Sequence, residues 1–293
     1  MKRWPIVSAL TLTLTLTLTF ALMVGCATLE EKQGAWIFQP IDRTWGGYGA
    51  AEGMQDTWIV FDSERTGKRV KLHALWLAAD PKPRSEGAAA AGQAPVLLYL
   101  HGSRWNVTSS AFRARRMQEL GFSVLALDYR GFGKSDPGPL SEAVAYEDAR
   151  AAWDWLALKY PDRPRYIFGH SLGGAIAIDL ASQVPDEAGT MVEGAFTSIP
   201  DLVGSFKWGW LPVGPFITQR FDAARKVARI GSPLLVVHGT EDRLINPALG
   251  RKLFEAAKGP KEFVLVEGGS HHNTNSLGQS RYREAIAQLF GLK

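Results

Sequence analysis

A serine nucleophile is the first chemistry that this sequence suggests. Ser171 lies in the segment Gly169–Gly173 (Gly-His-Ser-Leu-Gly), which follows the apolar run Tyr166–Phe168 and precedes a run of small residues typical of a buried helix. A Gly-x-Ser-x-Gly sequence between a strand and a helix forms a tight turn that exposes the serine hydroxyl. The pattern alone arises by chance in about one chain of this length in ten. Its interpretation therefore depends on whether a base, an acid and oxyanion donors accompany the serine.

Two histidines are candidates for the base. His271 and His272 lie in the segment Gly268–Asn273, directly after the last predicted strand. In an open α/β sheet the functional groups gather on loops at the carboxyl ends of the strands. His271 has the spacing that is usual for the base in such a sheet, and His272 is the alternative. His101 and His238 each precede a glycine, and we expect them to make structural hydrogen bonds.

The candidate acid follows the strand before the last one. Asp242 lies a few residues beyond the apolar run that ends near Gly239, and Glu241 is its neighbour. The short side chain of Asp242 suits a position so close to the strand. Asp201, which follows an earlier strand, is a further candidate. With Asp242 as the acid, the chain order is serine, acid, base. This is the order found in hydrolases built on a sheet of this kind.

Two backbone amides are candidates for the oxyanion hole. The residue after a nucleophilic serine supplies one N–H group, which here belongs to Leu172. The loop after the strand that ends at Leu100 supplies the second. Ser103 is the expected donor in that loop, and Arg104 is the alternative. Neither role requires the side chain.

Five motifs together carry a resemblance to a known family. They are Leu100–Gly102 (Leu-His-Gly), Asp128–Ser135 (Asp-Tyr-Arg-Gly-Phe-Gly-Lys-Ser), Gly169–Gly173, His238–Asp242 (His-Gly-Thr-Glu-Asp) and Gly268–His271 (Gly-Gly-Ser-His). Over roughly residues 57 to 290 the chain resembles the α/β-hydrolase superfamily. It is most similar to the members with small lids, which are esterases, acyl thioesterases and serine aminopeptidase-like hydrolases. In that family Asp128–Ser135 is a structural turn.

The resemblance implies a function as well as a fold. The expected enzyme is a serine hydrolase that cleaves a carboxylic ester or thioester of a small-molecule acyl substrate through an acyl-enzyme. Ser171, Asp242 and His271 would form its catalytic triad. A peptidase that acts on short peptides, and a binding protein of the same fold without turnover, are the alternatives. No metal or organic cofactor is implied.

The pattern of strands and helices predicts a doubly covered sheet that can position these residues. Apolar runs over 96–100, 123–127, 166–168, 192–195, 233–239 and 263–266 alternate with helical segments. Strands that are apolar throughout are covered on both faces. The sequence therefore predicts an α/β fold with a mostly parallel central sheet, helices on both faces and two additional strands near residues 58–61 and 70–77.

A segment without strands interrupts this alternation at about residues 199–230. An insertion of this kind in an α/β fold is commonly a lid over a site. The segment is rich in large apolar side chains, namely Trp208, Trp210, Leu211, Phe216, Ile217 and Phe221. These side chains could form an apolar acyl-binding pocket, or they could pack the lid onto the sheet.

The N-terminus predicts export and a lipid anchor. Lys2 and Arg3 precede an apolar run over residues 4–24, and Cys26, the only cysteine of the chain, follows it. The order of a positive start, an apolar stretch and small residues is typical of a secretory signal. Cysteine at this position resembles the lipidated residue of bacterial lipoproteins. An uncleaved membrane anchor and a plain secreted protein are the alternatives, since the run is close to the length of a membrane span.

These features predict three regions of the chain. Residues 1–25 form a signal peptide, 26–56 a lipidated cysteine with a spacer, and 57–293 a hydrolase domain that includes the lid. The expected location is the cell envelope. Ala27 after the cysteine indicates the periplasmic face of the outer membrane if the host is Gram-negative.

The composition is that of a globular protein. Of the 293 residues 46% are hydrophobic and 21% are charged, and the net charge is +4, with Lys2 and Arg3 in the leader. This small excess of positive charge does not indicate nucleic-acid binding. The basic cluster of Arg113, Arg115 and Arg116 is expected on the wet face of a helix. The sequence contains no cysteine–histidine set for zinc.

Overall fold

A computed structural model describes residues 28–41, 49–80, 93–206 and 209–292 of the chain. The predicted signal peptide, Cys26 and Trp208 lie outside the described residues. Within them, no helix is both long and apolar enough to cross a membrane.

The centre of the molecule is an eight-stranded sheet. Its strands are β1 (Gln55–Asp62), β2 (Arg69–Leu77), β3 (Val96–Leu100), β4 (Ser123–Leu127), β5 (Arg165–His170), β6 (Glu187–Glu193), β7 (Leu234–Gly239) and β8 (Lys261–Val266). The spatial order is β1-β2-β4-β3-β5-β6-β7-β8. The β1–β2 and β2–β4 pairs are antiparallel, whereas all pairs from β4 to β8 are parallel. The predicted α/β fold with a mostly parallel sheet is confirmed.

Helices connect the strands and cover both faces of the sheet. They are α1 (28–37), α2 (Val107–Glu119), α3 (Glu142–Lys159), α4 (Leu172–Ala181), α5 (Ile199–Gly204), α6 (Ala223–Val227), α7 (Pro247–Ala256), α8 (Thr274–Leu277) and α9 (Gln279–Phe290). Alternate residues of one strand enter different cores, because side chains along a strand point to opposite faces. Leu98 and Leu100 of β3 pack in the core under α3 and α4, whereas Leu97 and Tyr99 pack in the core under α2 and α9.

The ends of the helices follow local sequence signals. The side chain of Ser141 accepts a hydrogen bond from the backbone of Val144 at the start of α3, as its capping role predicts. All ten residues of α4 are buried, which agrees with the helix being apolar nearly all round. These two helices flank β5, and they fix the position of the turn that follows it.

The Asp128–Ser135 turn is structural, as the resemblance implies. The Asp128 carboxylate accepts a hydrogen bond from the backbone of Val107 at 2.8 Å and lies 3.1 Å from Nδ1 of His73. Burial, the largest influence, acts to lower the pKa of His73, but the hydrogen bonds that its ring donates to Asp128 and Asp56 outweigh it and raise the pKa. This network joins the turn to β2 and to the start of α2.

Two features of the chain differ from the predicted pattern. The strand expected at 192–195 instead spans Glu187–Glu193, since pairing with β5 and β7 extends it through polar and glycine residues. The segment expected to be a spacer, within residues 26–56, contains α1. Tertiary packing explains this helix: Ile37 and Phe38 are buried in the core, and Gly34 allows α1 to approach the backbone of Leu140.

Candidate active site

The turn at Ser171 has a strained backbone. Ser171 has φ 57° and ψ −121°, a conformation that costs a non-glycine residue on the order of 1–3 kcal/mol. The turn is held by a hydrogen bond of 2.9 Å from the Ser171 N–H to the carbonyl of Glu193. Glycine is required on both sides, because a Cβ on Gly169 would collide with the backbone of Gly173, and one on Gly173 with the backbone of Leu100. The turn thus presents the serine at the carboxyl end of β5.

His271 and Asp242 are joined by a short hydrogen bond. Nδ1 of His271 lies 2.7 Å from Oδ2 of Asp242, and both side chains are buried. The other carboxylate oxygen, Oδ1, accepts hydrogen bonds from the backbone N–H groups of Leu244 and Ile245 at 2.9 and 2.8 Å. These bonds fix the carboxylate, and the carboxylate fixes the orientation of the imidazole ring.

Asp242 is held in its ionised form. Burial favours the neutral acid, but hydrogen bonds from His238 and His271 and the charge of His271 outweigh it and lower the pKa of Asp242 well below its ordinary value. The sequence did not reveal His238 as a partner of Asp242. Nε2 of His238 lies 3.3 Å from Oδ2 of Asp242 and 2.9 Å from the carbonyl oxygen of Ile245. The structural hydrogen bond expected of His238 is therefore present, and its ring also lies against the acid.

The alternative base and acids have different surroundings from His271 and Asp242. Glu241 and Asp201 are exposed, whereas Asp242 is buried against the histidine. His272 follows His271 in the same loop, and its ring packs against Trp105 with centroids 6.0 Å apart. Burial, followed by the charges of His271 and Arg113, lowers the pKa of His272. The geometry therefore favours His271 and Asp242 among the candidates.

The loop after β3 lies directly against the serine. A Cβ placed on Gly102 would be 3.3 Å from the Cβ of Ser171, which shows how closely this loop approaches. Ser103 and Arg104 follow Gly102 and line the same cavity. Leu172 is the first residue of α4, where N–H groups point toward a ligand and the helix dipole favours negative charge. The two predicted oxyanion donors thus lie in segments that meet at Ser171.

A cavity of about 320 Å³ opens beside these groups. Ser171, His271 and His272 form one side of it together with Ser103 and Leu172. The apolar part of its wall includes Trp36, Ile37, Phe196, Ile199, Leu202, Phe206, Leu244 and Ile245. A site with a few polar groups and a mainly apolar wall fits a small organic ligand.

Comparison with known proteins decides the family. The family model described as "Serine aminopeptidase, S33" matches residues 92–214. The human alpha/beta hydrolase domain-containing protein 17B is 30% identical over 232 residues, which represent 77% of this chain and 73% of the human protein. The chain belongs to the α/β-hydrolase superfamily. This α/β hydrolase also matches a protein named lysophosphatidylserine lipase ABHD12 from Gallus gallus, at 31% identity over 211 residues, 65% of this chain and 55% of that protein.

A solved structure shows the same fold. An esterase of Pyrococcus furiosus, Pf2001, superposes on the α/β hydrolase with a TM-score of 0.65 at 18% sequence identity. The match covers 87% of this chain and 97% of the esterase. At this identity the likeness concerns the fold alone.

A buried charged cluster lies behind the histidine loop of the hydrolase. Nη2 of Arg113 lies 3.3 Å from the carbonyl oxygens of both His271 and His272, and its Nε donates to Glu193 at 3.3 Å. The hydroxyl of Tyr282 donates to the other oxygen of Glu193. Arg113 and Glu193 are only 3% and 1% exposed. The cluster therefore ties α2, β6 and α9 to the backbone that carries the candidate base.

The expectation that Arg113 lies on a wet helix face is wrong. The residue is buried because Glu193 and the two carbonyl oxygens together compensate its charge. Glu193 is the last residue of a buried strand. An acidic residue in that position was the one signal in the sequence for a buried positive charge nearby. Its partner stands 80 residues earlier, so the pairing itself could not be recognised.

His170 of the hydrolase belongs to the same cluster. Its Nε2 lies 3.0 Å from Nη2 of Arg113 and 3.0 Å from the carbonyl oxygen of His271. Complete burial, followed by the charges of Arg113 and His271, lowers the pKa of His170 well below its ordinary value. The neutral imidazole is therefore favoured, and the contacts of its ring with Arg113 and with the His271 carbonyl support the histidine loop.

Replacing Arg113 by methionine is expected to reduce kcat for ester hydrolysis by about 100-fold while KM changes little. The reason is that the backbone of His271 loses its support, and a displacement of about 1 Å costs roughly this much. Arg116→Met is the matched control, since Arg116 is 40% exposed and pairs with Glu119 in the next turn of the helix. Steady-state kinetics of both variants, with circular dichroism as a measure of folding, check this prediction. Equal kcat in the two folded variants would contradict it.

Proposed function

We propose that this α/β hydrolase cleaves carboxylic ester or thioester bonds through an acyl-enzyme on Ser171. The observation that carries the proposal is the 2.7 Å contact between Asp242 and Nδ1 of His271, in a cavity that Ser171 and His271 both line. A carboxylate on Nδ1 keeps the proton on that nitrogen and leaves Nε2 free to accept one. The name of the lipase relative agrees with this chemistry.

In the first half of the proposed reaction, Nε2 of His271 accepts the proton of the Ser171 hydroxyl. The Ser171 oxygen forms a bond to the acyl carbon, and the negative charge that develops on the carbonyl oxygen meets the N–H groups of Leu172 and Ser103. The imidazolium, stabilised by ionised Asp242, then gives its proton to the leaving alcohol or thiol as the bond to that group breaks. The acyl group remains on the serine as an ester.

In the second half, water takes the place of the leaving group. His271 accepts a proton from the water as its oxygen attacks the acyl carbon, and the same two N–H groups again hold the oxyanion. The bond between the acyl carbon and the Ser171 oxygen breaks, and the proton returns from His271 to the serine. The carboxylic acid leaves, and no metal or organic cofactor takes part.

A peptidase is the second candidate, because the matching family model is that of a serine aminopeptidase. The two activities share the same nucleophile and differ in the leaving group. The third candidate, a binding protein without turnover, is less compatible with the hydrogen-bonded pair of His271 and Asp242.

A panel of substrates with one acyl group and three leaving groups separates these candidates. We expect butyryl p-nitrophenyl ester and butyryl thioester to be hydrolysed at least about 100-fold faster, in kcat/KM, than butyryl p-nitroanilide and dipeptides. Faster cleavage of the amide or peptide substrates would favour the peptidase. Hydrolysis of none of them at a rate above that of the Ser171→Ala protein would favour the binding protein.

A lipid anchor is part of the same proposal. The positive start, the apolar run and Cys26 support export and lipidation of this cysteine, with the domain held at the membrane of the cell envelope. Several acyl chains, each contributing about 0.8 kcal/mol per buried CH₂ group, would make the attachment stable.

A further inference from the structure

Several large apolar side chains of the segment between β6 and β7 are exposed. Trp210 and Phe216 are 73% and 69% exposed, and Leu211 is 42% exposed. They neither line the cavity nor pack onto the sheet, the two roles considered from the sequence. Phe221 does pack in the core, and Phe206 does line the cavity, so the segment contains both kinds of residue.

Charge is missing from the same stretch. Residues 209–217 include no charged side chain, and the indole N–H of Trp210 is their only polar side-chain group. Exposed contiguous apolar surface commonly marks a binding site for a protein or a membrane. Tryptophan is favoured where an apolar phase meets water, since its ring is apolar and its N–H can be hydrated.

Helix α1 lies against this stretch and extends it. The side-chain amide of Gln33 donates to the carbonyl of Phe216 at 2.7 Å, and its oxygen accepts hydrogen bonds from the backbone N–H groups of Thr218 and Gln219 at 2.8 and 3.3 Å. Trp36, one turn further along α1, is 59% exposed and also lines the cavity. We call the exposed set Trp36, Phe206, Trp210, Leu211 and Phe216 the aromatic rim.

The aromatic rim is close to the expected anchor. Cys26 precedes Thr28, the first described residue, by two positions, and the ten helical residues 28–37 cover about 15 Å. A lipid on Cys26 would therefore hold the rim within about 25 Å of a bilayer surface. The predicted anchor and the rim are separate features of the sequence, and α1, which begins two residues after Cys26, contacts the rim segment through Gln33.

We propose that the aromatic rim docks on a lipid surface, and that the substrates are acyl esters that reside in that surface. The rim borders the cavity through Trp36 and Phe206, so an acyl chain can pass from the lipid phase to Ser171 along an apolar wall. This inference rests on the proposed ester hydrolysis and specifies its substrate class. The rim supplies docking, and the residues at Ser171 supply the chemistry.

The test uses the full chain reconstituted with phosphatidylcholine vesicles and two esters. One is p-nitrophenyl palmitate held in the vesicles, and the other is dissolved p-nitrophenyl acetate. Trp210→Ser combined with Phe216→Ser removes two exposed side chains that do not line the cavity. Leu158→Ser is the matched control, because Leu158 is 85% exposed on α3.

We expect the double variant to hydrolyse the palmitate about 10- to 100-fold more slowly than the wild type, since burial of each of the two large apolar side chains contributes up to about a tenfold factor in binding. Hydrolysis of the acetate should remain unchanged, and the control variant should match the wild type on both esters. Brominated phosphatidylcholine should quench the fluorescence of the wild type more than that of Trp210→Phe.

Each other outcome overturns a defined part of the account. Equal palmitate hydrolysis by the wild type and the double variant, or no difference in quenching, overturns the docking. Hydrolysis of the acetate but not of the palmitate by the wild type overturns the substrate class. If the wild type is a dimer in detergent and the double variant is a monomer, the rim is an interface with a second copy of the chain. That result also overturns the docking on lipid. Hydrolysis of neither ester contradicts the proposed function itself.

Discussion

Replacing Ser171 by alanine is expected to reduce kcat for ester hydrolysis by about 10⁴- to 10⁶-fold. Without the hydroxyl no acyl-enzyme can form, and only the binding of substrate and the oxyanion donors remain. Alanine keeps the Cβ of serine, so the strained backbone with φ 57° and its hydrogen bond to Glu193 should be unchanged. The melting temperature should therefore match that of the wild type, and the loss can be assigned to chemistry.

Ser103→Ala is the matched control for this substitution. Ser103 also lines the cavity, but its proposed role belongs to its backbone N–H, which alanine retains. We expect its kcat to stay within about threefold of the wild-type value. Loss of an oxyanion donor would instead reduce kcat by roughly 10²- to 10³-fold. Assay of both proteins on p-nitrophenyl butyrate compares them directly. A large loss in Ser103→Ala with full activity in Ser171→Ala would reverse the assignment.

Replacing Asp242 by asparagine is expected to reduce kcat by about 10⁴-fold. The side-chain oxygen of asparagine can still accept from the N–H groups of Leu244 and Ile245, so its NH₂ group would face Nδ1 of His271. That arrangement favours the tautomer with the proton on Nε2. His271 could then no longer accept the proton of the serine, although its position would be kept.

Glu241→Gln is the matched control, since Glu241 is adjacent in sequence but exposed. Its activity should equal that of the wild type. The kinetics of the two variants should be measured at pH 7, where Asp242 is ionised because its pKa lies well below the ordinary value. Activity of Asp242→Asn close to that of Glu241→Gln would show that another group holds the base.

The sheet and the order of the candidate residues were predictable because their signals are local. β3 and β4 are continuous apolar runs, and the glycines around Ser171 mark a turn that no larger residue can make. Asp242 and His271 follow β7 and β8 directly, and parallel strands bring their carboxyl ends to one edge. The sequence position of these residues therefore determined their place in the fold.

Other features depend on contacts between distant parts of the chain. α1 has glycine in its middle and a weak helical pattern, and it is stabilised by Gln33 against the segment at Phe216 and by Phe38 in the core. The burial of Arg113 depends on Glu193 and on the carbonyl oxygens of the histidine loop. No spacing or periodicity within one segment carries information of this kind.

The exposed aromatic residues illustrate the same limit. An apolar run predicts burial, and the sequence offered only the cavity wall or the sheet as places for Trp210 and Phe216. The structure shows that both are largely exposed. Whether an apolar residue lies inside or outside depends on the packing of its neighbours, which a single sequence does not specify.

The most direct test of the central claim is covalent labelling by a fluorophosphonate, which reacts with an activated serine. Intact-mass measurement of the full chain, followed by peptide mapping, should show one adduct, on Ser171, and none on the Ser171→Ala protein. Asp242→Asn should react far more slowly than the wild type, because its His271 cannot accept the serine proton. An adduct on another residue, or equal labelling of the wild type and Ser171→Ala, would contradict the assignment of Ser171 as the nucleophile.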